Sequence, residues 1–305
     1  RQAVSNHDDK TSHDWASIVF YAALPPDIDS QVIDVRFDRM RLAGDVAFKR
    51  VKGAFEKNSA NSDEYRKETA TLNQFEDSMR NFKVHYPAYA TRIRGWLASA
   101  ALRWAEFQHR ITKEPDIQQT VGDSRHAVHI SDMSEHQALR FAAREYAGIF
   151  DANRNATWAL VQSLTARWAV EKKALDQEEW TTAFCSSKKD LRSSDLRDQA
   201  QGHDCLAQLE LLRLALPRPN PGVSDADVEN TRKAVTEHVQ ALVRLLDAQS
   251  YEAFTLRRQM RRHGKWWNPN SDHPVEAAMA KIGTEIDQLL AQLGTPESWH
   301  VHFSA

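Results

Sequence analysis

Glycine and proline are both scarce in this chain. Each occurs ten times in 305 residues, about 3% of the chain, against roughly 7% and 5% in average proteins. Sheet proteins need turn residues at short, regular intervals, so this composition favours few turns and long helices. The sequence therefore predicts an all-α fold of stacked helical hairpins or a helical bundle. We expect six to nine helices and at most one short two-stranded β element.

Long apolar runs and an excess of one charge are also missing. The longest apolar run, residues 15–24, has ten residues, whereas a membrane span needs roughly 18. We therefore expect no transmembrane segment in this chain. The 40 Lys and Arg residues nearly balance the 42 Asp and Glu residues, for a net charge of −2. Contact with nucleic acid or with a membrane surface would have to come from a local patch.

Cysteine occurs only twice. A disulfide between Cys185 and Cys205 would close a loop of about 20 residues, which stabilises a fold by roughly 3 kcal/mol in the chain-entropy account. The chain begins at Arg1 rather than at methionine, and removal of a signal peptide or anchor would place it where disulfides form. Two reduced thiols in the cytoplasm fit the residues equally well. An extracytoplasmic (periplasmic or secreted) and a cytoplasmic location therefore both stay open.

The short signatures of common enzyme classes are absent as well. The chain has no G-x-S-x-G, no P-loop, no G-x-G-x-x-G and no H-E-x-x-H. We therefore expect no cofactor. We interpret the chain as a non-enzymatic binding or scaffold protein that docks partner proteins through amphipathic helices.

Composition along the chain predicts its domain organisation. A cluster of prolines after residue 216 is the strongest break. We predict a disordered N-terminus at 1–12, a helical domain at 13–216, a proline-rich linker at 217–223 and a C-terminal helical hairpin at 224–305 packed on the first domain.

Two long helices stand out in the pattern of apolar residues. One is expected over residues 157–184. The other is nearly forty residues long: Ser224 and Asp227 form its capping box, and Gly264 ends it in a left-handed conformation.

The densest chemical signal is residues 257–267, which we name the basic-aromatic segment. Its arginines share one helix face and could clamp phosphates, while its two tryptophans could stack on bases or lie at a membrane surface. The same residues suit a helix C-terminus, whose dipole favours cations. The candidate ligands for an anion or nucleic acid are Arg257, Arg258, Arg261, Arg262, Lys265, Trp266 and Trp267.

Two short segments, 127–131 and 300–304, alternate apolar and polar residues and could pair as the expected β element. Pairing would bring histidines onto one face, where neutral imidazoles could bind zinc or copper and support a metal-dependent enzyme. The candidate metal ligands are His126, His129, His300 and His302. The competing interpretation is two ordinary exposed segments.

Overall fold

The computed structural model of the protein describes residues 30–58, 62–112, 129–217, 222–267 and 272–297. These ranges contain ten α-helices and no strand. The all-α prediction is therefore confirmed, with one helix more than the largest number expected. Contacts divide the chain into two compact units, one up to Ala138 and one from Leu139 onwards.

The first unit contains three long helices. They are α1 (Ser30–Asn58), α2 (Asp63–His85) and α3 (Ala90–Thr112), with 3₁₀ turns at Pro87–Tyr89 and Ile130–Asp132. Ser62 begins α2 as its N-cap, because its hydroxyl accepts a hydrogen bond from the Tyr65 N–H at 3.1 Å. Aromatic and aliphatic side chains from the three helices make up the core of this unit.

The second unit is built around one buried helix. Its helices are α4 (Glu135–Ala152, which starts just before the boundary), α5 (Thr157–Glu171), α6 (Gln177–Asp190), α7 (Leu196–Leu212), α8 (Asp225–Leu246), α9 (Tyr251–Arg262) and α10 (Pro274–Gln292). A 3₁₀ turn at Arg213–Ala215 follows α7, and a π turn at His263–Trp267 follows α9. Ten of the 17 residues of α7 are buried, and α5, α6, α8 and α9 all pack on it.

The two long helices predicted from the sequence are each interrupted once. Within residues 157–184 the chain breaks at Lys172, and within residues 224–264 it breaks at Asp247; both have positive φ, at 52° and 78°. The side chain of Ser250 then caps α9 by accepting a hydrogen bond from the N–H of Ala253, the third residue of that helix. The periodicity continues across both breaks, which is why the sequence pattern did not show them. The capping box at the start of α8 is confirmed.

The segment predicted as a linker, 217–223, is described only in part. The helices on either side of it, α7 and α8, pack against each other within the second unit. The predicted disordered residues 1–12 lie outside the described residues. In the part of the chain that is described, no helix combines the length and apolarity needed to cross a membrane.

Gly264 does not end a helix in a left-handed conformation, contrary to the prediction. Among the described glycines only Gly294 has positive φ. Gly264 instead lies in the π turn, where a Cβ would come within 2.6 Å of the Thr284 Oγ1 atom. A Cβ on Gly283 would lie 2.7 Å from the Met260 carbonyl oxygen and 2.9 Å from the Gly264 nitrogen. The two glycines therefore allow the π turn and α10 to approach backbone to backbone.

Replacement of Gly283 by alanine tests this close approach. We expect Gly283→Ala to lower the free energy of unfolding by about 1–3 kcal/mol, because the new methyl group overpacks against backbone atoms that cannot move independently. Gly222→Ala is the matched control in the same unit, since a Cβ there meets nothing within 4 Å, and it should leave stability unchanged or slightly raised. Urea unfolding followed by circular dichroism gives both values. A Gly283→Ala variant as stable as the parent would contradict the packing described.

Candidate functional site

The basic-aromatic segment forms the end of α9 and the π turn that follows. Most of its side chains point into the second unit rather than to solvent. The buried or largely buried members are Arg257, Arg261, Arg262, His263 and Trp267. Lys265 is exposed and Arg258 partly so, and the side chain of Trp266 lies outside the described residues.

Two of these arginines share one carboxylate on α10. Arg257 Nε donates to Asp287 Oδ1 at 2.8 Å, and Arg261 Nε donates to Asp287 Oδ2 at 3.2 Å. Burial acts to raise the pKa of Asp287, but the hydrogen bonds from the two guanidinium groups outweigh it and hold this pKa below its usual value. Arg261 also reaches Glu297 at 2.9 Å. Anion or nucleic-acid binding by this segment stays a prediction, but Arg257 and Arg261 are already engaged inside the protein.

Arg262 begins a chain of hydrogen bonds through three helices, which we name the polar chain; its first bond is buried and the other three are partly buried. Arg262 Nη1 donates to Gln259 Oε1 at 3.0 Å, and Gln259 Nε2 donates to Gln162 Oε1 at 2.5 Å. Gln162 Nε2 then donates to Gln208 Oε1 at 2.9 Å, and Gln208 Nε2 donates to Asp204 Oδ1 at 2.8 Å. Each amide accepts on the side of the guanidinium and donates on the side of the carboxyl group. Their dipoles therefore align and strengthen one another.

A titratable cluster lies at the carboxyl end of the polar chain. Burial raises the pKa of Asp204 to about 7, although the Gln208 hydrogen bond opposes the rise. His203 on α7 and His238 on α8 meet with their Nδ1 atoms 3.0 Å apart, so one ring donates and the other accepts. Burial, helped by the charges of His203 and Lys188, lowers the pKa of His238 to about 4. This cluster could not be predicted from the sequence, because its histidines come from separate helices with no recognisable spacing.

The histidine pair makes a prediction about stability and pH. The pKa of His238 is about 4 in the folded state and about 6.5 in the unfolded chain, so on acidification the unfolded chain binds this proton first. His238 therefore lowers the free energy of unfolding as pH falls from about 6.5 towards about 4. Its replacement in His238→Asn should reduce the loss of stability between pH 7 and pH 4.5 by on the order of 2 kcal/mol. Burial raises the pKa of Asp204, so this residue changes the free energy of unfolding with pH in the opposite direction to His238. Because Asp204 is present in both proteins, its contribution cancels when they are compared.

Urea unfolding of both proteins at several pH values in this range provides the measurement. Stability curves of equal slope for the parent and His238→Asn would show that the imidazole does not carry the expected pKa.

His129, the one described member of the predicted metal site, is engaged in the first unit. Its Nε2 lies 3.1 Å from Asp77 Oδ1, and it begins a 3₁₀ turn instead of the predicted strand. The N–H of Ile130, which a strand pair would need, donates instead to the buried carboxylate of Glu76 at 2.8 Å. The predicted strand is therefore wrong at residues 129–131. The other predicted metal ligands, His126, His300 and His302, lie outside the described residues.

The described residues bring together no group of three His, Cys, Asp or Glu side chains that could hold a metal ion. The metal site proposed from the sequence therefore stays a prediction that rests on three undescribed histidines.

The predicted disulfide is wrong. Cys185 is exposed on α6, whereas Cys205 is buried on α7, and both are free thiols. Helix formation at both cysteines explains the error, because it turns one side chain outward and the other into the core. Burial raises the pKa of the Cys205 thiol well above its usual value, so this thiol stays protonated.

The second unit contains a cleft that the sequence did not predict. It has a volume of about 440 Å³ and lies between α4, α5 and the start of α6, within the size range of ligand sites. Its apolar floor is lined by Ala143, Ala147, Phe150, Leu160 and Val170. Ser163 Oγ of α5 donates to the Ala143 carbonyl of α4 at 3.0 Å and ties the two helices together at this floor.

Charged side chains of opposite sign line the cleft on different helices. The lining from α4 and the turn just after it, which we name the basic wall, carries Arg140, Arg144 and Arg154 together with Asp151. The lining from the end of α5 and the start of α6, which we name the acidic wall, carries Glu171, Asp176, Glu178 and Glu179 together with Arg167. On α4 these positions resemble any exposed amphipathic face, and the acidic residues come from two other helices, which are separated by the break at Lys172. The sequence therefore contained the residues of the cleft without showing that they meet.

Comparison with known proteins gives no match to a family model, to a curated protein or to a solved structure.

Proposed function

We propose that the chain is a non-enzymatic binding protein that takes a segment of a partner protein into the cleft of its second unit. The observation that carries this proposal is an apolar floor among α4, α5 and the start of α6, with arginines in the lining from α4 and carboxylates in the lining from α5 and α6. Grooves of this kind recognise amphipathic segments, whose apolar side chains enter the groove while their polar side chains meet its edges.

The chemistry of the lining supports binding rather than catalysis. As far as the described residues form it, the lining contains no histidine, lysine or cysteine. The buried hydroxyl of Ser163 donates its hydrogen bond to the Ala143 backbone carbonyl, so it is not paired with a basic side chain that could activate it. Glu179 accepts a hydrogen bond from Arg167, and Asp176 caps α6. Ser163, Asp176 and Glu179 are therefore occupied in holding the cleft together, and the described lining pairs no hydroxyl or thiol nucleophile with an adjacent base.

A bulky substitution on the floor tests the proposal. Peptides of about 15 residues, selected by display on the parent protein, should lose at least about tenfold in affinity for Ala147→Trp, because the indole fills the cleft. Ala277→Trp is the matched control, since Ala277 is exposed on α10 and does not line the cleft; it should bind within about twofold of the parent. Fluorescence anisotropy with labelled peptides measures both affinities.

Two results would rule the proposal out. One is a selection that yields no peptide above background. The other is a set of selected peptides that bind Ala147→Trp as tightly as the parent while both variants keep the helical circular dichroism of the parent.

A further inference from the structure

Two arginines of the basic wall share one face of α4. At 100° per residue, Arg140 and Arg144 lie about 40° apart around the helix axis. Ala147, which contributes to the floor, lies about 20° from Arg140 on the same face. Arg154 follows the end of α4 and lines the cleft from the turn there.

Part of this basic wall has little counter-charge among the described residues. Arg154 is paired with Asp151 at 3.1 Å and lies over the Phe150 ring. Arg144 forms a long ion pair with Glu145, at 3.9 Å, on the exposed surface of the helix. Arg140 makes no hydrogen bond or ion pair with any described residue. As far as the structure describes the chain, α4 therefore presents positive charge to the cleft that is only partly neutralised.

Two carboxylates of the acidic wall likewise have no counter-charge among the described residues. Glu171, in the last turn of α5, and Glu178, in the first turn of α6, are exposed and have no partner among the described residues. Arg167 does not neutralise them, because it donates to Glu179. Its Nε is buried and makes no hydrogen bond, which leaves one donor in the lining without an acceptor. A buried donor of this kind is costly unless something binds it.

From these charges we infer that the cleft takes an amphipathic helix with one acidic edge and one basic edge. This inference rests on the proposed function and names the chemistry of the partner. The acidic edge lies along Arg140 and Arg144, the basic edge lies along Glu171 and Glu178, and an apolar stripe faces the floor. A ligand of a single charge would be repelled by one wall, and an uncharged ligand would leave both walls unpaired.

The arrangement also fixes the direction of the bound helix. When a helix is turned end for end in a groove, its two edges change places. Only one of the two directions therefore sets each edge against the wall of opposite charge. Charge reversal on one wall should weaken binding in either direction, whereas reversal on both walls should restore binding in the opposite direction.

Synthetic helices provide the test. The probe is a labelled peptide of about 15 residues with leucines at i, i+3, i+4 and i+7, glutamates on one edge and lysines on the other. The control peptide carries glutamine at all the charged positions. The two-edged peptide should bind the parent at least about tenfold more tightly than the glutamine peptide, with a preference that decreases as salt is added.

Variants of the two walls complete the test. Arg140→Glu with Arg144→Glu should weaken the two-edged peptide by at least about tenfold. Arg192→Glu with Arg197→Glu is the control, because these arginines are exposed in the same unit and lie outside the cleft; it should change affinity by less than about twofold. Addition of Glu171→Lys and Glu178→Lys to the first pair should restore binding. This recovery also shows that the first variant is folded.

The outcomes separate this inference from the proposed function. If Ala147→Trp abolishes binding but the Arg140 and Arg144 variant binds like the parent, the cleft is a binding site and its charges do not select the partner. Equal affinity for the two-edged and glutamine peptides would overturn the inference in the same way. If Ala147→Trp has no effect on any peptide, the proposed function and the inference both fail.

Discussion

A buried guanidinium and a half-buried carboxyl group that do not touch each other are linked by hydrogen bonds across three helices of the second unit. Arg262 is 2% exposed, and Asp204 lies at the other end of the polar chain. Each group alone would be strongly destabilised by the loss of its water. Three glutamine amides from α5, α7 and α9 connect them, and each amide is oriented from the cation towards the acid. The chain can close only when these three helices are in one register.

The same helix, α9, is joined to α10 by a second set of polar contacts. Arg257 and Arg261 of α9 both donate hydrogen bonds to Asp287 on α10. The π turn that continues α9 then lies directly on α10. The basic-aromatic segment, which reads in sequence as a surface for anions, therefore serves largely to join helices.

One helix takes part both in the polar chain and in the cleft. Gln162 on α5 belongs to the chain, and the next residue, Ser163, lines the cleft and donates a hydrogen bond to α4. Arg167, one turn further along, donates a hydrogen bond to Glu179 at the start of α6. The core and the cleft therefore share α5.

The sequence predicted those features that depend on local chemistry. Few glycines and prolines predicted helices, and the pair Ser224 and Asp227 predicted where α8 begins. Interruptions at non-glycine residues with positive φ were not predictable, because nothing in the side chains of Lys172 or Asp247 requires them. Gly264 was predicted to end a helix. In the structure a glycine is needed there because α10 packs closely against the π turn.

The candidate site escaped prediction for the same physical reason. Its arginines and carboxylates come from three helices, and their opposition depends on tertiary packing. The polar chain could not be predicted either, because the sequence does not show whether a glutamine in a helix lies in the core or at the surface. Both the cleft and the polar chain depend on contacts between residues far apart in the sequence. A single sequence has no pattern that reveals such contacts.

A double-mutant cycle between the two ends of the polar chain tests this account most directly. Arg262→Met removes the guanidinium group and Asp204→Asn removes the carboxyl group, and the two side chains share no hydrogen bond with each other. If the chain acts as a unit, the free energies of unfolding of the single and double variants will differ from additivity by more than about 0.5 kcal/mol, the limit expected for independent sites. Additive effects within that limit would contradict the view that the chain transmits interaction across the core.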